Sequence, residues 1–527
     1  MPTVTATPVL EMQFSGAGGS WTSVAADIRL GVEPTVAEYG IQGVGPMDRM
    51  AATGTLTFAL DNSNANSGAL QGYYSPGHTN VRSGFDLGIG VRLKITYSGT
   101  TYYKFRGSLI SVQPDAGSKM RQSVRCLAVD WLDEAARTKI RDIATQSSKR
   151  ADQVINTLIT DAVTRQPAAT SLNTGQSTFT TVFDNLRDEQ TTVYQAIADA
   201  ALSEFGYFYQ KGDTTQGGTV KFEDRHARPK AGAAVATFDN TMYELEAVRT
   251  RDDIINRVQV VVHPRKVDAA ATTVLYELTP TQTVPSVGAG ATIVIQGPFR
   301  DATGRFVRIG GDAVVAPAAT TDYTGNSASD GSGTNLTSSL TVTAAVSSNS
   351  AVFTITNTHA TSTIYVTKLQ IRGKGVYDQY DSAARASDSA SQTSYGETLA
   401  TIDLPYEDDL DIAQGIADWV LNVYKNPRYT VGAIGLHGNA SATLMTQALA
   451  REPGDKIALK ETVTGLTNLG SGGAEIGYFI NGVRLTVGPR DVIDVTWPLA
   501  PADQQQAWIL GTTGAGEIGV TTVLGYI

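Results

Sequence analysis

The sequence predicts a mainly β protein with an α+β portion, divided into several domains. Its 527 residues, at roughly 100–200 residues per domain, imply about three to five domains rather than one. Charged residues make up only 17% and hydrophobic residues 41%, while Gly, Ser and Thr are abundant, which is typical of strands and turns. Apolar and polar residues alternate along much of the chain, and helical spacing is confined to a few segments.

Charge and cysteine content exclude several classes of protein. A formal net charge of −10 argues against a protein that coats nucleic acid, because phosphate contacts require clustered Lys and Arg. The single cysteine, Cys126, excludes intramolecular disulfides and a Cys-cluster metal site, and its apolar surroundings predict a core residue.

The opening residues lack a secretory signal, and no run of about 18 apolar residues occurs. We therefore expect a chain that is made and folds in a cytoplasm.

Residues 1–135 are predicted to form a first small antiparallel β-barrel or sandwich, and we take the β-barrel as the first domain. The first alternating run stops at Asp61-Asn62-Ser63-Asn64, which is typical of a strand entering a turn. Ser98-Gly99-Thr100 then separates two alternating runs, as the turn of a hairpin would. The predicted strands are 52–61, 91–97, 101–110, 108–113 and 122–129.

Residues 136–265 are predicted to form an α+β unit, because the period changes there from two to about 3.6. One predicted helix begins after Ser147-Ser148, which could supply its N-cap, and a second follows Asp188-Glu189 and ends at Gly206. We expect these two helices to pack together. Their apolar positions are Ala151, Val154, Ile155, Leu158, Ile159 and Ala162, then Val193, Ile197, Ala198, Ala201 and Leu202. Strand patterns resume at 207–210, 219–223 and 255–263.

Residues 266–378 differ in composition from their surroundings, being rich in Ala, Thr, Ser, Val and Gly with few charges. Short alternating runs predict an inserted β-sandwich-like module. Two interpretations stay open: a surface module that contacts sugar or protein, and a decoration domain without a ligand. Sugar stacking would need exposed aromatic rings, yet several aromatics lie in alternating runs that predict a core. They are Tyr276, Phe299, Phe306, Tyr323, Phe353, Tyr365 and Tyr377.

Residues 379–510 are predicted to contain a helix and a closing β-barrel. The helix, 410–423, follows the acidic run 407–411, whose carboxylates favour a helix N-terminus. These acids could instead bind Ca²⁺, but they lack the ligand spacing of an EF-hand. The predicted strands are 429–435, 455–461, 476–487 and 492–497. The apolar C-terminal tail, 511–527, is predicted to pack on a neighbouring protein, and its removal to weaken assembly.

Four pieces of sequence occur in an order that resembles a known family. The first is a barrel opening, the second a hairpin with a domain-ending Asp, the third a crossing strand and the fourth a closing barrel. In chain order they are Asp27-Ile28-Arg29 with 52–62 and Tyr74-Ser75-Pro76; 90–107 with Val129-Asp130-Trp131-Leu132; Ile255-Asn256-Arg257-Val258; and 452–459 with 478–484.

Together these pieces resemble the central tail hub, or baseplate hub, of long-tailed bacteriophages, a protein of the tail tip that is related in fold to the hub of contractile tails. The matching stretches span roughly residues 20–265 and 395–500. The family does not require the insertion at 266–378. A C-terminal cell-wall hydrolase that some relatives carry is missing, which leaves no support for a lytic role.

The resemblance implies a homotrimer in the virion, assembled in the host bacterial cytoplasm. Two barrel domains per chain would give six similar surfaces to the hexameric ring of the tail tube. The implied partners are distal tail or tail-tube ring proteins, the tape measure protein, and tail fibre or tip proteins. DNA would pass through the lumen without specific binding, and 266–378 could contact a host surface glycan.

The rival class is an enzyme or an adhesin, namely a tail-associated cell-wall hydrolase or a carbohydrate-binding protein. The sequence has no His-Glu-x-x-His pair, Gly-x-Ser-x-Gly elbow or phosphate-binding loop, so we expect no catalytic residue, cofactor or metal. The histidines are scattered, at His78, His226, His263, His359 and His437. Only His226 lies beside acids, in the cluster 223–226, which predicts a salt-bridged turn. The pair Asp252-Asp253 cannot be assigned a glycosidase role, since that chemistry depends on spatial separation.

Overall fold

The computed structural model describes residues 4–502 apart from 17, 44, 116–121, 142, 185, 187–189, 280–282, 302–308 and 463–474. The predicted tail 511–527 and the acids Asp188-Glu189 therefore lie outside the described residues. The fold is mainly β with a few helices, which confirms the predicted class. No helix in the described part is long and apolar enough to cross a membrane.

The regular structure described in the first part of the chain is mainly β-strand. Its strands are β1 (Thr7–Met12), β2 (Thr22–Ser23), β3 (Thr35–Gly40), β4 (Thr55–Asp61), β5 (Gly90–Tyr97), β6 (Thr100–Pro114) and β7 (Ser123–Val129). The predicted hairpin is present as β5 and β6. The overlapping predicted strands 101–110 and 108–113 are one continuous strand, β6, which carries register shifts. Cys126 is a buried core residue, as predicted, and burial raises the pKa of its thiol to about 12.

The second part alternates helices and strands. Its elements are α1 (Trp131–Arg137), β8 (Gln146–Arg150), α2 (Ala151–Thr157), β9 (Ala169–Leu172), β10 (Thr178–Val182), α3 (Val193–Ser203), β11 (Tyr207–Lys211), β12 (Thr219–Glu223), β13 (Thr237–Asp239), β14 (Glu244–Val248) and β15 (Arg257–Val262). A π-helical turn, Leu158–Ala162, continues α2, and the two predicted helices pack in one core. The predicted N-cap at Ser147-Ser148 is wrong, because both residues lie in β8, where Ser147 pairs with Thr181 of β10, and the cap position is Arg150.

The third part coincides with the compositionally distinct stretch of sequence. Its strands are β16 (Arg265–Val267), β17 (Thr273–Glu277), β18 (Ser286–Val287), β19 (Thr292–Pro298), β20 (Gly310–Val315), β21 (Tyr323–Asn326), β22 (Leu340–Val346), β23 (Ser350–Asn357) and β24 (Ile364–Asp378). Among described residues, β24 pairs with β16, β17, β18, β20 and β21, and β23 lies between β19 and β22. Four of the seven aromatics, Tyr276, Phe299, Tyr323 and Phe353, are buried in this part's own core, and Phe306 lies outside the described residues.

Strands of the last part of the chain pair with strands of the first two parts. Its elements are β25 (Ser382–Ser387), α4 (Ser389–Tyr395), β26 (Leu399–Leu404), α5 (Leu410–Tyr424), β27 (Thr430–His437), α6 (Ala442–Ala450), β28 (Lys456–Lys460), β29 (Ile476–Ile480), β30 (Gly482–Gly488) and β31 (Val492–Pro501). Short 3-10 turns occur at Ala25–Asp27, Thr337–Ser339, Gly438–Ala440 and Pro489–Asp491. The helix predicted at 410–423 is confirmed as α5, and it packs on a sheet of order β25-β15-β26.

Among the described residues, one sheet of fourteen strands joins the first and last parts of the chain. Its main path is β13-β28-β29-β31-β30-β3-β4-β7-β6-β5-β1-β2, and β27 with β14 is added at β31. The join is the antiparallel pair β3 and β30, from Thr35 opposite Val487 to Gly40 opposite Gly482. Gly40 has a φ of +87°, and a Cβ there would lie 2.7 Å from the Asn481 carbonyl oxygen. The strands predicted for two separate barrels thus share one sheet and one core. The predicted domain boundaries stay a prediction.

Candidate functional site

Charged side chains are buried where the parts of the chain meet, and the first such place is around Lys104 of β6. The Lys104 side chain is fully buried and forms an ion pair with Glu452, which follows α6. The same ammonium donates to the carbonyl oxygens of Leu449 (3.0 Å) and Arg451 (3.2 Å). Glu452 also accepts from the Tyr39 hydroxyl (3.0 Å) and the Gly212 amide (2.9 Å). One carboxylate therefore ties together β3, β6, the loop after β11 and the closing strands.

The local fold explains how a lysine reaches this core. At the β5–β6 pair, Leu93 faces Phe105 and Lys94 faces Tyr103, so Lys104 is an extra residue in a β-bulge. The bulge lets Lys104 and Phe105 both point inward. Burial raises the pKa of Glu452 despite the opposing charge of Lys104. The pair is therefore a structural joint, by which we mean a buried polar contact between parts of the chain that are far apart in sequence. It needs both partners.

A second joint is centred on Arg228. Its guanidinium pairs with Glu223 (3.1 Å), donates to Asn481 Oδ1 (2.9 Å) and lies 3.6 Å from the centre of the Tyr207 ring. Asn481, between β29 and β30, donates in turn to the Gly43 carbonyl oxygen (2.7 Å). This joint fixes the α+β part against the strands that close the large sheet.

A third joint connects the α+β part to the segment before α5. The buried Glu204 carboxylate accepts from the Gln176 and Ser177 amides, each at 3.0 Å, and pairs with Arg225 (3.3 Å). Ser177 Oγ accepts from Arg225 (2.8 Å) and donates to Glu407 (2.7 Å). Burial raises the pKa of Glu204 to about 7. Ion pairs at Glu223 and Arg225 agree with the predicted salt-bridged turn at 223–226.

Three residues of the acidic run 407–411 have structural roles. Asp409 is the N-cap of α5 and accepts from the Asp411 amide (2.8 Å). Asp408 accepts from Thr180 Oγ1 (2.6 Å) on β10, and Glu407 is buried against Ser177. Among the described residues, no group of three or more His, Cys, Asp or Glu side chains could hold a metal ion.

A fourth joint is the guanidinium of Arg49, which is 1% exposed. It donates to the carbonyl oxygens of Phe205 (2.6 Å) and Pro46 (2.9 Å). Its centre lies 3.3 Å from the centroid of the Phe205 ring, 4.5 Å from that of Tyr207 and 5.7 Å from that of Trp419. Arg49 thus joins the loop after β3 to the α+β part and to α5.

We expect Arg49→Lys to lower the free energy of unfolding by about 2 kcal/mol, because an ammonium cannot stack flat on Phe205 and donate in both directions. Chemical denaturation followed by tryptophan fluorescence measures the change. Arg82→Lys is the control, since Arg82 also lies over a ring, Phe14 at 3.9 Å, but is only half-buried. Equal losses in the two variants would show that stacking at Arg49 has no special weight.

The polar residues of the family-like motifs contact one another. Asp27 accepts from the Tyr74 hydroxyl and from Ser67 Oγ (2.6 Å). Asn62 accepts from the Tyr74 amide (2.8 Å) and donates to Ser75 Oγ (2.7 Å). The three separated pieces of the first motif therefore form one hydrogen-bonded corner of the large sheet.

The other motif residues also hold defined structural positions. Asp130 is the N-cap of α1 and accepts from the Leu132 amide (3.0 Å). Asn256, fully buried, donates to the Gly396 carbonyl oxygen (2.7 Å) and accepts from the Thr398 amide (2.9 Å), so it fixes the start of the crossing strand β15. The closing motif supplies Glu452 and Asn481 to the two joints above.

A groove of about 800 Å³ lies between the β5–β6 hairpin, α1 and residues 164–168. Trp21, Arg106, Trp131 and Arg165 contribute to its walls. Trp131 Nε1 donates to the Arg165 carbonyl oxygen (2.8 Å), so this ring is held in the wall. The groove has charges of both signs, and nothing in its geometry selects one ligand.

The structure does not bring the histidines together as an acid–base or nucleophile site. His263 contacts Asp381 and Asp403, and His437 contacts Asp494 (2.7 Å) and stacks on Tyr243. Asp252 and Asp253 line a cavity of about 200 Å³ beside Tyr424. Burial and the charge of Asp252 raise the pKa of Asp253.

Sequence reasoning missed Lys104, Arg49 and Glu452 as joint residues. One signal was present: in strand β6, Lys104 stands two residues after the inward-facing Tyr102, which places a charge on the apolar face. Arg49 lies in a loop, where periodicity gives no information about burial.

Fold and joints together define a mainly β protein whose separate parts are held by buried polar contacts. No protein-family model and no curated protein matches the chain.

Several solved structures are similar over most of their length. They include the tail protein from Neisseria meningitidis MC58, with a TM-score of 0.47, 11% identity and coverage of 94% of this chain and 96% of that one. The 43 kDa tail protein of prophage MuSo2 from Shewanella oneidensis has a TM-score of 0.46 and 9% identity, covering 95% and 99%. An E. coli type VI secretion component, described as similar to T4 bacteriophage tail proteins, has a TM-score of 0.36 and 8% identity, covering 95% and 79%.

Proposed function

We propose that this protein is a structural, non-enzymatic hub of a phage tail tip. Three copies assemble around an axis, adapt the hexameric tail tube to a threefold tip and surround the channel through which DNA leaves. The partners are the tail-tube ring, the tape measure protein and the fibre or tip proteins.

The observation that carries the proposal is that residues far apart in the hub-like motifs contact one another. Asp27, Asn62 and Tyr74 form one corner, and Lys104 of the hairpin motif pairs with Glu452 of the closing motif. Such contacts are what a shared framework requires, whereas chance matches of short motifs would be scattered over the structure. The motifs therefore support the proposal as one set.

The large sheet supports the symmetry part of the proposal. Its first and last groups of strands are joined side by side through β3 and β30. Three chains, each with two such groups, would present six groups to a hexameric ring. The buried joints would hold the two groups of one chain at a fixed spacing, which a ring-shaped assembly needs. A net charge of −10 suits a lumen that repels DNA.

Immunogold electron microscopy of particles from the strain that encodes the chain tests the position in the virion. We expect label at the tail tip of intact particles. Label on the capsid or along the tail shaft would contradict the proposal.

Activity assays of the purified chain separate the hub from its rivals. We expect no release of reducing sugar or peptide from host cell walls, and no binding of the full chain to host glycans beyond that of a chain lacking residues 266–378. Cell-wall cleavage would favour a hydrolase, and binding that depends on 266–378 would favour an adhesin.

A further inference from the structure

One histidine, His263, lies on the connection that enters the module 265–378 and contacts the connection that leaves it. His263 directly follows β15, the central strand of the sheet β25-β15-β26. Its Nδ1 lies 2.8 Å from Asp381 Oδ1, and its Nε2 lies 2.6 Å from Asp403 Oδ1. Asp381 precedes β25 on one side, and Asp403 belongs to β26 on the other. A single imidazole therefore spans both neighbours of the central strand.

The chemistry of these two contacts fixes the charge that the ring must carry. An ionised carboxylate only accepts hydrogen bonds, and a neutral imidazole has only one N–H to donate. Two contacts to carboxylate oxygens are satisfied together only when both ring nitrogens carry a proton. The arrangement is thus complete with an imidazolium, and loses one donor when the ring becomes neutral.

We propose that His263 is a pH-sensitive clamp that holds the entry and exit of the 265–378 module against the sheet β25-β15-β26. Protonated His263 ties Asp381, on the exit connection, to Asp403, on the sheet edge. When the proton is lost, one carboxylate faces a ring lone pair and its connection is released. The clamp is closed while both ring nitrogens carry a proton and is loosened when one of these protons is lost.

The charged groups around His263 indicate that only the contacts of its ring are lost with the proton, while the module stays attached through other ion pairs. Arg265 pairs with Asp184 and Asp378, each at 2.6 Å, and its Nη1 donates to the His263 carbonyl oxygen. These contacts do not depend on the ring proton. The His263 amide donates to the Glu407 carbonyl oxygen (2.9 Å), while the Glu407 carboxylate is taken up by Ser177.

Of the two carboxylates, Asp381 is 58% and Asp403 61% exposed, so both have access to water when released. Asp199 adds a further negative charge, since its own carboxyl and that of Asp403 interact. The segment expected to loosen is therefore 379–381 with the edge strand β26, while Arg265 keeps the module attached.

Hydrogen–deuterium exchange of the full chain at pH 5.5 and 8.0, corrected for the intrinsic pH dependence of exchange, tests the clamp. We expect exchange in peptides covering 379–382 and 399–404 to be roughly tenfold faster at pH 8.0, because one charge-assisted hydrogen bond is lost. His263→Gln should show the fast rate at both pH values. His263→Arg, which keeps a charge and several donors, should show the slow rate at both.

The matched control is His359→Gln in a loop of the module, which should behave as the unsubstituted chain. Equal exchange at the two pH values in the unsubstituted chain would overturn the proposal. So would a pH effect that persists in His263→Gln, since the titrating group would then lie elsewhere.

Discussion

Lys104→Met is expected to lower the free energy of unfolding by about 3–5 kcal/mol, because it leaves the Glu452 carboxylate buried without its counter-charge. The methionine fills much of the same space, so the loss reports the missing charge rather than a cavity. Glu452 keeps the Tyr39 hydroxyl and Gly212 amide as donors. Chemical denaturation at neutral pH measures the loss. It should shrink in acid, where the carboxyl can take up a proton.

The double variant Lys104→Met/Glu452→Gln should recover a large part of this stability, since it removes both charges together. Lys94→Met is the matched control in the adjacent strand. Lys94 pairs with Glu11 (2.7 Å) but is partly exposed, and Glu11 retains Arg92, so its loss should stay below about 1 kcal/mol. If Lys104→Met and Lys94→Met cost the same, the buried joint would not be a main support of the fold.

The second large effect concerns pH and Asp130, the N-cap of α1. Burial raises the pKa of its carboxyl from the ordinary 3.8 to about 8, and its Oδ2 has no hydrogen-bond partner among the described residues. Between these two values the folded chain keeps a proton that the unfolded chain has lost. The contribution of Asp130 to the free energy of unfolding therefore falls as the pH rises from about 4 to about 8, by about 5 kcal/mol in total.

Asp130→Asn should remove this dependence while its side-chain oxygen still accepts from the Leu132 amide. The stability of the variant relative to the unsubstituted chain should therefore rise steadily across that pH range, as measured by denaturation at several pH values. Glu134→Gln, a less buried change in the same helix, should leave the pH profile unaltered. A constant difference between Asp130→Asn and the unsubstituted chain at all pH values would contradict the account.

The elements predicted best from sequence are those in which the buried residues follow a regular pattern within a single helix or hairpin. The spacing of Ile412, Ile416 and Trp419 gives α5 because a helix repeats its buried face every few residues. The β5–β6 hairpin follows from a turn between two alternating runs. In both cases the pattern and the packed face lie in the same short stretch.

The parts that could not be predicted depend on contacts between distant residues. The pairing of β3 with β30 leaves no local signature, so the sequence does not predict that the strands of the first and last parts share one sheet. Ser147 and Ser148 resemble a helix cap, but pairing with β10 places them in a strand. Alternation from Tyr102 places Lys104 on the inward face, but alternation alone does not predict the bulge that turns Phe105 inward as well.

The candidate site was less predictable than the fold. Asp130 and Asn256 could be singled out because they belong to the family-like motifs, although their roles as cap and strand anchor are seen only in the structure. Arg49 and Glu452 acquire their roles from partners in other parts of the chain. Such buried joints depend on which surfaces meet, and that is a property of the tertiary fold.

The central claim, a trimeric hub that meets a hexameric ring, is tested most directly by native mass. Light scattering would be applied to the purified chain alone and together with the tail-tube ring protein of the same particle. The account predicts three copies of the 55.7 kDa chain, alone or on each six-membered ring. A stable complex with one, two or six copies of the chain per ring would contradict it.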